Sequence, residues 1–428
     1  MQIRRGMCTK ECSVPDPCAW CGLDVDVLET KLRSLPSATA TVLDKALAGQ
    51  DLDADDLTHL FGLNDLEVCA LFATANLLKT RVHDRAATYV VNRNINFTNV
   101  CYNACRFCAY NRPRSSPEAF LMSAPEIARL ALEARDLGAT EVCVQAGLSP
   151  DLDSSFYPRL LHAIRDAAPD IHIHACSPQE EVYWSEKAGQ SIRDYLIELK
   201  ASGLDSLPGT SAEILVDPIR SAISPKRITT AKWLEVIQTA HSLGLPTTAT
   251  IMYGHIESHR ERALHLIQIR DQQRRSHGFT EFVPLSFIAS SRQARRRNPL
   301  IRSVQTLDVL KMHAIARLAL WKDIPNIQTS WVKEGLEIAT LCLRVGANDL
   351  GGTLINESIA ASAGANNGQM MRPCDLRTAI RTSGSTPAQR DTLYRILRSF
   401  EDPASDPIDP LDRLDSPLTP GNKQPRRL

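Results

Sequence analysis

The sequence predicts an α/β chain built on a (β/α)8 barrel, or on a partial barrel of the TIM type, with a helical extension before it and a disordered tail after it. Short β-rich runs alternate with amphipathic stretches from about residue 86, which is typical of a parallel sheet with crossover helices. Helical stretches begin at capping residues such as Ser123 and stop before glycines such as Gly138. Eight such units occupy roughly 280 residues, the length that a (β/α)8 barrel needs.

Eight strands are predicted from the β-rich runs, and a six-unit partial barrel is the alternative because the last runs are short. Helices fill the intervals, and one of them begins near Thr230 and stops before Gly244. The predicted strands lie near residues 87–96, 141–145, 171–175, 204–208, 247–251, 280–285, 327–330 and 348–350.

The segments outside the barrel differ from it in composition. Residues 1–35 form an irregular arm that contains cysteines, and residues 36–85 read as helical, with Asn64 and Glu67 spaced for a capping box. The barrel is assigned to residues 86–380. Residues 381–428 are expected to form a C-terminal helix and then, from about residue 402, a disordered tail in which proline recurs among polar residues.

Charge and hydropathy exclude several classes of protein. Lys plus Arg and Asp plus Glu both number 49, whereas a nucleic-acid-binding protein usually carries a basic surplus. No apolar run reaches the ~18 residues that a membrane span needs, and no apolar segment follows the charged residues 1–10 as in a signal peptide. We therefore expect a cytoplasmic protein that binds neither nucleic acid nor membrane.

Three of the twelve cysteines form the strongest chemical motif. Cys101, Cys105 and Cys108 have the spacing C-x3-C-x2-C, and three thiolates on one loop can hold three irons of a 4Fe-4S cubane and leave the fourth iron open. The alternative is chance spacing in a cysteine-rich chain. The position of the loop, directly after the first predicted strand, favours the cluster because barrel active sites lie at the ends of strands. Tyr110 and Phe107 add apolar cover.

This triplet resembles the signature of the radical S-adenosylmethionine (SAM) superfamily. The string Tyr-Val-Val-Asn-Arg-Asn-Ile-Asn-Phe-Thr-Asn at 89–99 resembles a branch that contains the deazaflavin (FO) synthase enzymes and the futalosine-pathway enzymes of menaquinone synthesis. The resemblance implies that SAM binds the open iron and is cleaved to methionine and a 5′-deoxyadenosyl radical by an electron from a donor.

Later segments narrow the choice within this branch. The string around His172 and His174 at 171–178 resembles the third strand and loop that the branch shares. The segments that resemble the FO synthase subunit 2 family, which transfers a hydroxyphenyl group, are Pro-Gly-Thr-Ser-Ala-Glu at 208–213, the run at 278–288, and 331–335 together with 346–354. The resemblance implies a transferase that cleaves L-tyrosine, releases 2-iminoacetate and joins the hydroxybenzyl fragment to 5-amino-6-(D-ribitylamino)uracil. FO synthase subunit 1 would then be its functional partner.

Two rival functions stay open at this point. A futalosine-pathway enzyme would have the same triplet, but it usually shows extra glycines where this chain has 208–213. A degenerate iron–sulfur or zinc-binding protein without catalysis is the rival from another class, and the intact triplet argues against it.

Seven residues are predicted to contact SAM. Gln145, Ala146 and Gly147 follow the second strand, where the family commonly has Gln-Gly-Gly, and a simple barrel turn is the alternative. Glu213 and Arg220 could bind a zwitterion or the ribityl chain, and a surface ion pair is the alternative for them. The remaining candidates are Tyr110, Ser177, Glu213 and Arg220.

Six residues are predicted to contact substrate. His172 and His174 alternate with isoleucines, so both lie on one strand face, which is either the lumen or the core. The others follow the fifth strand or lie in the late, glycine-rich loop, where capping, loop packing or a plain turn is the alternative. They are His255, Asn348, Asp349 and Thr353.

Two features depart from the family pattern. The family usually has a histidine-containing stretch after position 288, but this chain has an arginine-rich loop at 289–299, which puts the acceptor contacts in doubt. Cys8, Cys12, Cys18 and Cys21 have the spacing C-x3-C-x5-C-x2-C, which is either a metal site or four free thiols.

Overall fold

The computed structural model describes residues 35–103, 105–288 and 304–414. Three helices precede the barrel: α1 (Ser37–Leu47), α2 (Ala54–Gly62) and α3 (Asp65–His83). Asn64 is the N-cap of α3, as predicted, but the capping box does not form. The Asn64 amide donates to Gly62 O, and Glu67 accepts from the Thr39 hydroxyl of α1 instead. A tertiary contact between two helices therefore replaces the local one.

The barrel is closed, and all eight predicted strand positions are confirmed. The first position is a strand in two parts, of which β1 pairs with β7 and β2 pairs with β3. The fourth and seventh positions are short parallel bridges around Ser206 and Ile327. The strands are β1 (Ala86–Val90), β2 (Asn92–Ile95), β3 (Glu141–Val144), β4 (His172–Ala175), β5 (Thr247–Tyr253), β6 (Phe279–Ser286) and β7 (Asp349–Gly352).

Twelve further helices of the described chain surround or cap the barrel. The predicted capping box at Ser123 and Glu126 forms, and the helix predicted near Thr230 begins there, with Thr229 as its N-cap. The helices are α4 (Ala124–Asp136), α5 (Phe156–Ala167), α6 (Pro178–Ala188), α7 (Ile192–Ala201), α8 (Asp217–Ile223), α9 (Thr230–Ser242), α10 (His259–Ser276), α11 (Thr306–Leu320), α12 (Trp331–Glu334), α13 (Leu336–Arg344), α14 (Ile359–Ala363) and α15 (Pro373–Thr382).

The C-terminal segment differs from the prediction. Instead of a helix after residue 381, a hairpin forms from β8 (Thr386–Arg390) and β9 (Ile396–Ser399). Strand β8 pairs in parallel with β1, on the side opposite β7. The prediction missed the hairpin because a strand that pairs with the start of the barrel depends on a partner about 300 residues away.

Residues 402–414, which were expected to be disordered, pack against the barrel. Three aspartates, Asp406, Asp409 and Asp412, surround the guanidinium of Arg377 on α15, whose side chain is fully buried. Composition does not reveal this contact, because the same acidic, proline-rich pattern is also typical of disordered chains. Residues 415–428 lie outside the described residues. In the described ranges, no helix has the length and apolar character needed to cross a membrane.

Candidate functional site

The cysteine loop leaves the barrel after β2 and forms one wall of a cavity of about 230 Å³. Cys101, Cys105 and Cys108 all line this cavity, with Cys105 buried and the other two half-buried. A turn joins them, since Cys108 N donates to Cys105 O at 3.2 Å. We call this space the cysteine cavity. The three cysteines that are close in the sequence therefore also face the same space in the structure.

The Cys105 sulfur receives two donors from the segment after α8. The Ser224 hydroxyl lies 3.0 Å and the Arg227 Nε 3.3 Å from Sγ. Burial alone lowers the pKa of Arg227, but negative charge on Cys105 and Glu213 outweighs burial and raises it above the ordinary value. Arg227 therefore stays charged and places a positive charge beside Cys105 Sγ. Sequence reasoning missed this residue, which lies 122 positions from Cys105.

Burial raises the pKa of Cys101 and of Cys108. As free thiols these two groups would keep their protons at neutral pH. A metal ligand must be deprotonated, so binding of a metal centre here releases protons and depends on pH.

Gln145, Ala146 and Gly147 form the wall of the cysteine cavity beyond β3. Gly147 N donates to Thr98 O at 2.9 Å, which draws this turn against the cysteine loop. A Cβ at Gly147 would lie 2.3 Å from Val100 O, so only glycine fits. Ala146 is not among the described residues with positive φ, so alanine fits where the family commonly has glycine.

The next part of the cavity lining begins at Ser177, the N-cap of α6. Its hydroxyl donates to Glu180 Oε2 at 2.6 Å, and Ala146 N donates to Glu180 Oε1 at 3.2 Å. Burial raises the pKa of Glu180. Glu180 also lines the cysteine cavity, although sequence reasoning did not select it. The capping-box spacing from Ser177 to Glu180 was the available signal.

Glu213 lines the cysteine cavity and pairs with Arg227 at 2.9 Å. Its backbone, like that of Ser211, has positive φ, at 44° and 72°, a costly conformation for residues other than glycine. Arg220 holds this turn in place, since its buried guanidinium donates to Ser211 O at 3.2 Å and also to Ala212 O. Arg220 therefore positions the loop and does not line the cavity.

The barrel lumen holds a second cavity of about 330 Å³. It adjoins the cysteine cavity, because five residues line both spaces. They are Phe107, Cys108, Gln145, Thr210 and Ile359. A molecule in the lumen can therefore approach whatever occupies the cysteine cavity.

The two histidines of β4 share Ser206 but occupy different places. Ser206 Oγ lies 2.7 Å from His172 Nε2 and 2.6 Å from His174 Nδ1. His174 lines the lumen, whereas His172 lies outside the lining of both cavities. Burial lowers the pKa of His174 to about 4, so its imidazole is neutral at pH 7.

The other predicted substrate residues form structural contacts. Asn348 Oδ1 accepts from Ile327 N at 2.8 Å, and the Thr353 hydroxyl accepts from Asn92 N at 2.9 Å. His255 Nε2 lies 2.9 Å from Met252 O. None of these side chains lines either cavity.

Asp349 does not line either cavity, but it contacts a residue that does. Its carboxylate accepts from the Arg390 guanidinium and the Thr88 hydroxyl, and Arg390 lines the lumen. The arginine-rich loop at 289–299 and the four cysteines of residues 8–21 lie outside the described residues.

The donor set of the cysteine cavity fits an iron–sulfur cubane. Three soft thiol ligands face one space, and Asn103 Oδ1 is buried there without a donor among the described residues. Across the described ranges, no group of three His, Cys, Asp or Glu is close enough to hold a single ion. In a cubane each thiolate binds a different iron, so three thiols that line one cavity can hold three of its four irons.

Two family models match the chain. The Radical SAM superfamily model matches residues 95–267, which span the cysteine loop and the first half of the barrel. The model described as the CofH/MqnC C-terminal region matches residues 276–402, which include β6, β7 and the hairpin.

Two solved structures share the fold. The crystal structure of methylornithine synthase (PylB) has a TM-score of 0.65 at 18% identity and covers 81% of this chain and 97% of its own. The crystal structure of HydG, a maturase of the [FeFe]-hydrogenase, has a TM-score of 0.65 at 13% identity and covers 86% of this chain and 80% of its own. At these identities the likeness concerns the fold alone.

Curated relatives are much more similar. A protein from Methanopyrus kandleri is 44% identical over 84% of this chain and 97% of its own length. One from Archaeoglobus fulgidus is 47% identical over 76% of this chain and 93% of its own. Both are named 5-amino-6-(D-ribitylamino)uracil–L-tyrosine 4-hydroxyphenyl transferase. This chain therefore belongs to the radical SAM superfamily and, within it, to the family of these 4-hydroxyphenyl transferases.

Proposed function

We propose that this protein joins the 4-hydroxybenzyl fragment of L-tyrosine to 5-amino-6-(D-ribitylamino)uracil in deazaflavin (FO) biosynthesis. The other products are 2-iminoacetate, methionine and 5′-deoxyadenosine. The observation that carries the proposal is the adjacency of the two cavities at Phe107 and Cys108, because a radical reaction requires the substrate to lie next to the cluster site. The names of the full-length relatives support the choice of substrates.

The cofactors of the proposal are a 4Fe-4S cluster and SAM. Cys101, Cys105 and Cys108 would hold the cluster, and Gln145, Ala146, Gly147, Ser177, Glu180 and Glu213 line the space left for SAM. When bound, this pair supplies a 5′-deoxyadenosyl radical.

The protein's own contribution is positioning and exclusion of water. The lumen beside the cysteine cavity is lined by apolar side chains such as Met252, Val283, Leu285 and Phe287. Such a lining keeps water from reactive species. His174 stays neutral there, so it can either donate or accept a hydrogen bond.

The futalosine-pathway alternative receives less support. The C-terminal family description covers both branches, but the curated relatives named above carry the transferase name over nearly their whole length. The non-catalytic alternative does not account for a complete thiol set beside a substrate-sized lumen.

Partners and location are part of the same proposal. The chemistry requires an electron donor, and FO synthase subunit 1 would act on the product to close the deazaflavin ring. No disulfide joins any of the eight described cysteines, which is typical of a reducing compartment, and this supports a cytoplasmic location.

An anaerobic assay tests the proposed function. We expect the reconstituted protein with reductant, SAM, L-tyrosine and 5-amino-6-(D-ribitylamino)uracil to yield 5′-deoxyadenosine and a hydroxybenzyl–uracil adduct by mass spectrometry. The control omits tyrosine. SAM cleavage without the adduct would contradict the transferase assignment and leave the superfamily assignment intact.

Arg227→Gln tests whether Arg227 raises the reduction potential of the cluster. The change removes a positive charge and an N–H donor from Cys105 Sγ, and such donors stabilise the reduced cluster. Loss of a charge-assisted hydrogen bond worth about 1.5–3 kcal/mol should make the reduction potential of the cluster about 60–130 mV more negative. Spectroelectrochemical titration measures the shift, with the exposed Arg193→Gln as the control. An unchanged potential would contradict this role.

A further inference from the structure

The barrel lumen ends in a cluster of polar side chains, which we call the polar floor. It comprises Glu141, His174, Glu281, Gln328 and Arg390, all of which line the lumen cavity. Glu141 begins β3, and Glu281 lies near the start of β6. Since parallel strands start at the same end of a barrel, this floor lies at the end away from the cysteine loop.

The hairpin after the barrel completes the polar floor. Arg390, the last residue of β8, pairs with Asp349 and lies over the Tyr394 ring, 3.9 Å from its centroid. The Tyr394 hydroxyl donates to Glu281 Oε2, which also accepts from Gln328 Nε2 at 2.7 Å. Tyr394 has φ of 63°, a costly conformation that persists only where the surrounding contacts hold it.

The polar floor retains unused hydrogen-bonding capacity. Glu141 Oε1 accepts from Asn92 Nδ2 at 2.9 Å, but no described residue donates to Glu141 Oε2 or to Glu281 Oε1. A carboxylate offers about four acceptor positions. Glu141 and Glu281 are only 6% and 7% exposed, but these two oxygens are not fully buried and are open to the lumen cavity. The arrangement therefore fits a ligand that supplies several donors.

The rest of the lumen has the opposite character. Met252, Val283, Leu285 and Phe287 line it nearer the carboxyl ends of the strands. The ammonium and carboxylate of tyrosine belong to the end that leaves as 2-iminoacetate, and the proposed radical reaction requires that end beside the cysteine cavity. The phenol at the other end carries a single O–H group, too few to satisfy two carboxyl groups. The ribityl chain of the uracil carries several hydroxyls, each of which donates and accepts, so it matches a floor of carboxylates, guanidinium, imidazole and amide.

We propose that the polar floor binds the ribityl chain of the acceptor, and that the β8–β9 hairpin thereby selects a polyol-bearing uracil. Tyrosine then occupies the apolar part of the lumen, beside Phe107 and Cys108. This inference rests on the proposed function and adds a specificity-determining subsite to it.

The test compares two acceptors by calorimetric binding and by kcat/KM of adduct formation. One is 5-amino-6-(D-ribitylamino)uracil, and the other is 5-amino-6-(methylamino)uracil, which lacks the polyol. A site built to hydrogen-bond hydroxyls rejects a ligand without them, so the wild type should prefer the ribityl compound by at least about 100-fold. Glu281→Gln and Glu141→Gln should each reduce this preference by about 10-fold or more.

The ratio of the two acceptors separates loss of recognition from damage to the fold, because misfolding lowers the binding and kcat/KM of both acceptors by the same factor. Glu401→Gln, an exposed change beyond the hairpin, should keep the wild-type ratio. Unchanged ratios in both floor variants would overturn the proposal, as would a loss of tyrosine binding with normal acceptor binding. If the wild type forms no adduct, the proposed function fails, while calorimetry still decides whether the floor recognises the polyol.

Discussion

Cys105→Ala is expected to abolish both the visible absorbance of the cluster and SAM cleavage. The change removes one of the three thiol ligands, and no further cysteine among the described residues lines the cysteine cavity. It also leaves the Ser224 hydroxyl and the Arg227 guanidinium without their sulfur acceptor. We expect SAM cleavage to fall below detection after anaerobic reconstitution, measured as 5′-deoxyadenosine.

A matched cysteine change separates cluster loss from general damage. Cys374, on α15, lies away from both cavities and is half-buried. Cys374→Ala should retain iron content and SAM cleavage. If Cys105→Ala still cleaved SAM, that result would contradict the assignment of the three cysteines as cluster ligands.

Gly147→Ala is expected to lower SAM cleavage by at least about tenfold and to destabilise the fold by about 1–3 kcal/mol, the usual cost of overpacking. The new Cβ would lie 2.3 Å from Val100 O and 2.8 Å from Val100 C. Both are backbone atoms directly before Cys101, so they cannot rotate away. Relief of the overlap must move the turn after β3 or the cysteine loop, and either movement separates the two walls of the cysteine cavity.

Gly62→Ala is the matched control for this steric argument. A Cβ at Gly62 meets nothing within 4 Å, and alanine favours a helix by about 1 kcal/mol over glycine. We expect this variant to unfold at the same or a slightly higher urea concentration than the wild type, with normal cluster content. Full SAM cleavage by Gly147→Ala would contradict this prediction, because it would show that the new Cβ can be accommodated without separating the two walls of the cysteine cavity.

Several features followed from the sequence because they depend on neighbouring residues. The spacing of Cys101, Cys105 and Cys108 places three thiols on one loop, and the barrel strands follow from local β-rich runs between capped helices. The capping box at Ser123 and the turn at Gly147 are local too. The fold class and the proposed cluster ligands could therefore be predicted from residue spacing alone.

The substrate-binding residues were harder to predict from the sequence. Of the six predicted, only His174 lines the lumen, while Asn348 and Thr353 join neighbouring strands instead. Strand alternation placed His172 and His174 on one face but could not tell how far each extends toward the lumen. Polar residues at strand ends serve the barrel itself as often as its ligand, and sequence pattern does not separate the two.

The sequence by itself determined the barrel and the cysteine loop, because local periodicity and short spacing encode them, and the family followed from the resemblance of its motifs to known proteins. Only the tertiary structure placed Arg227 against Cys105, the 402–414 segment against Arg377, and the β8–β9 hairpin beneath the lumen. Each of these joins residues that are far apart in the chain. Their pairing depends on burial and complementary charge in the folded state, and neither can be predicted from the sequence of one segment alone.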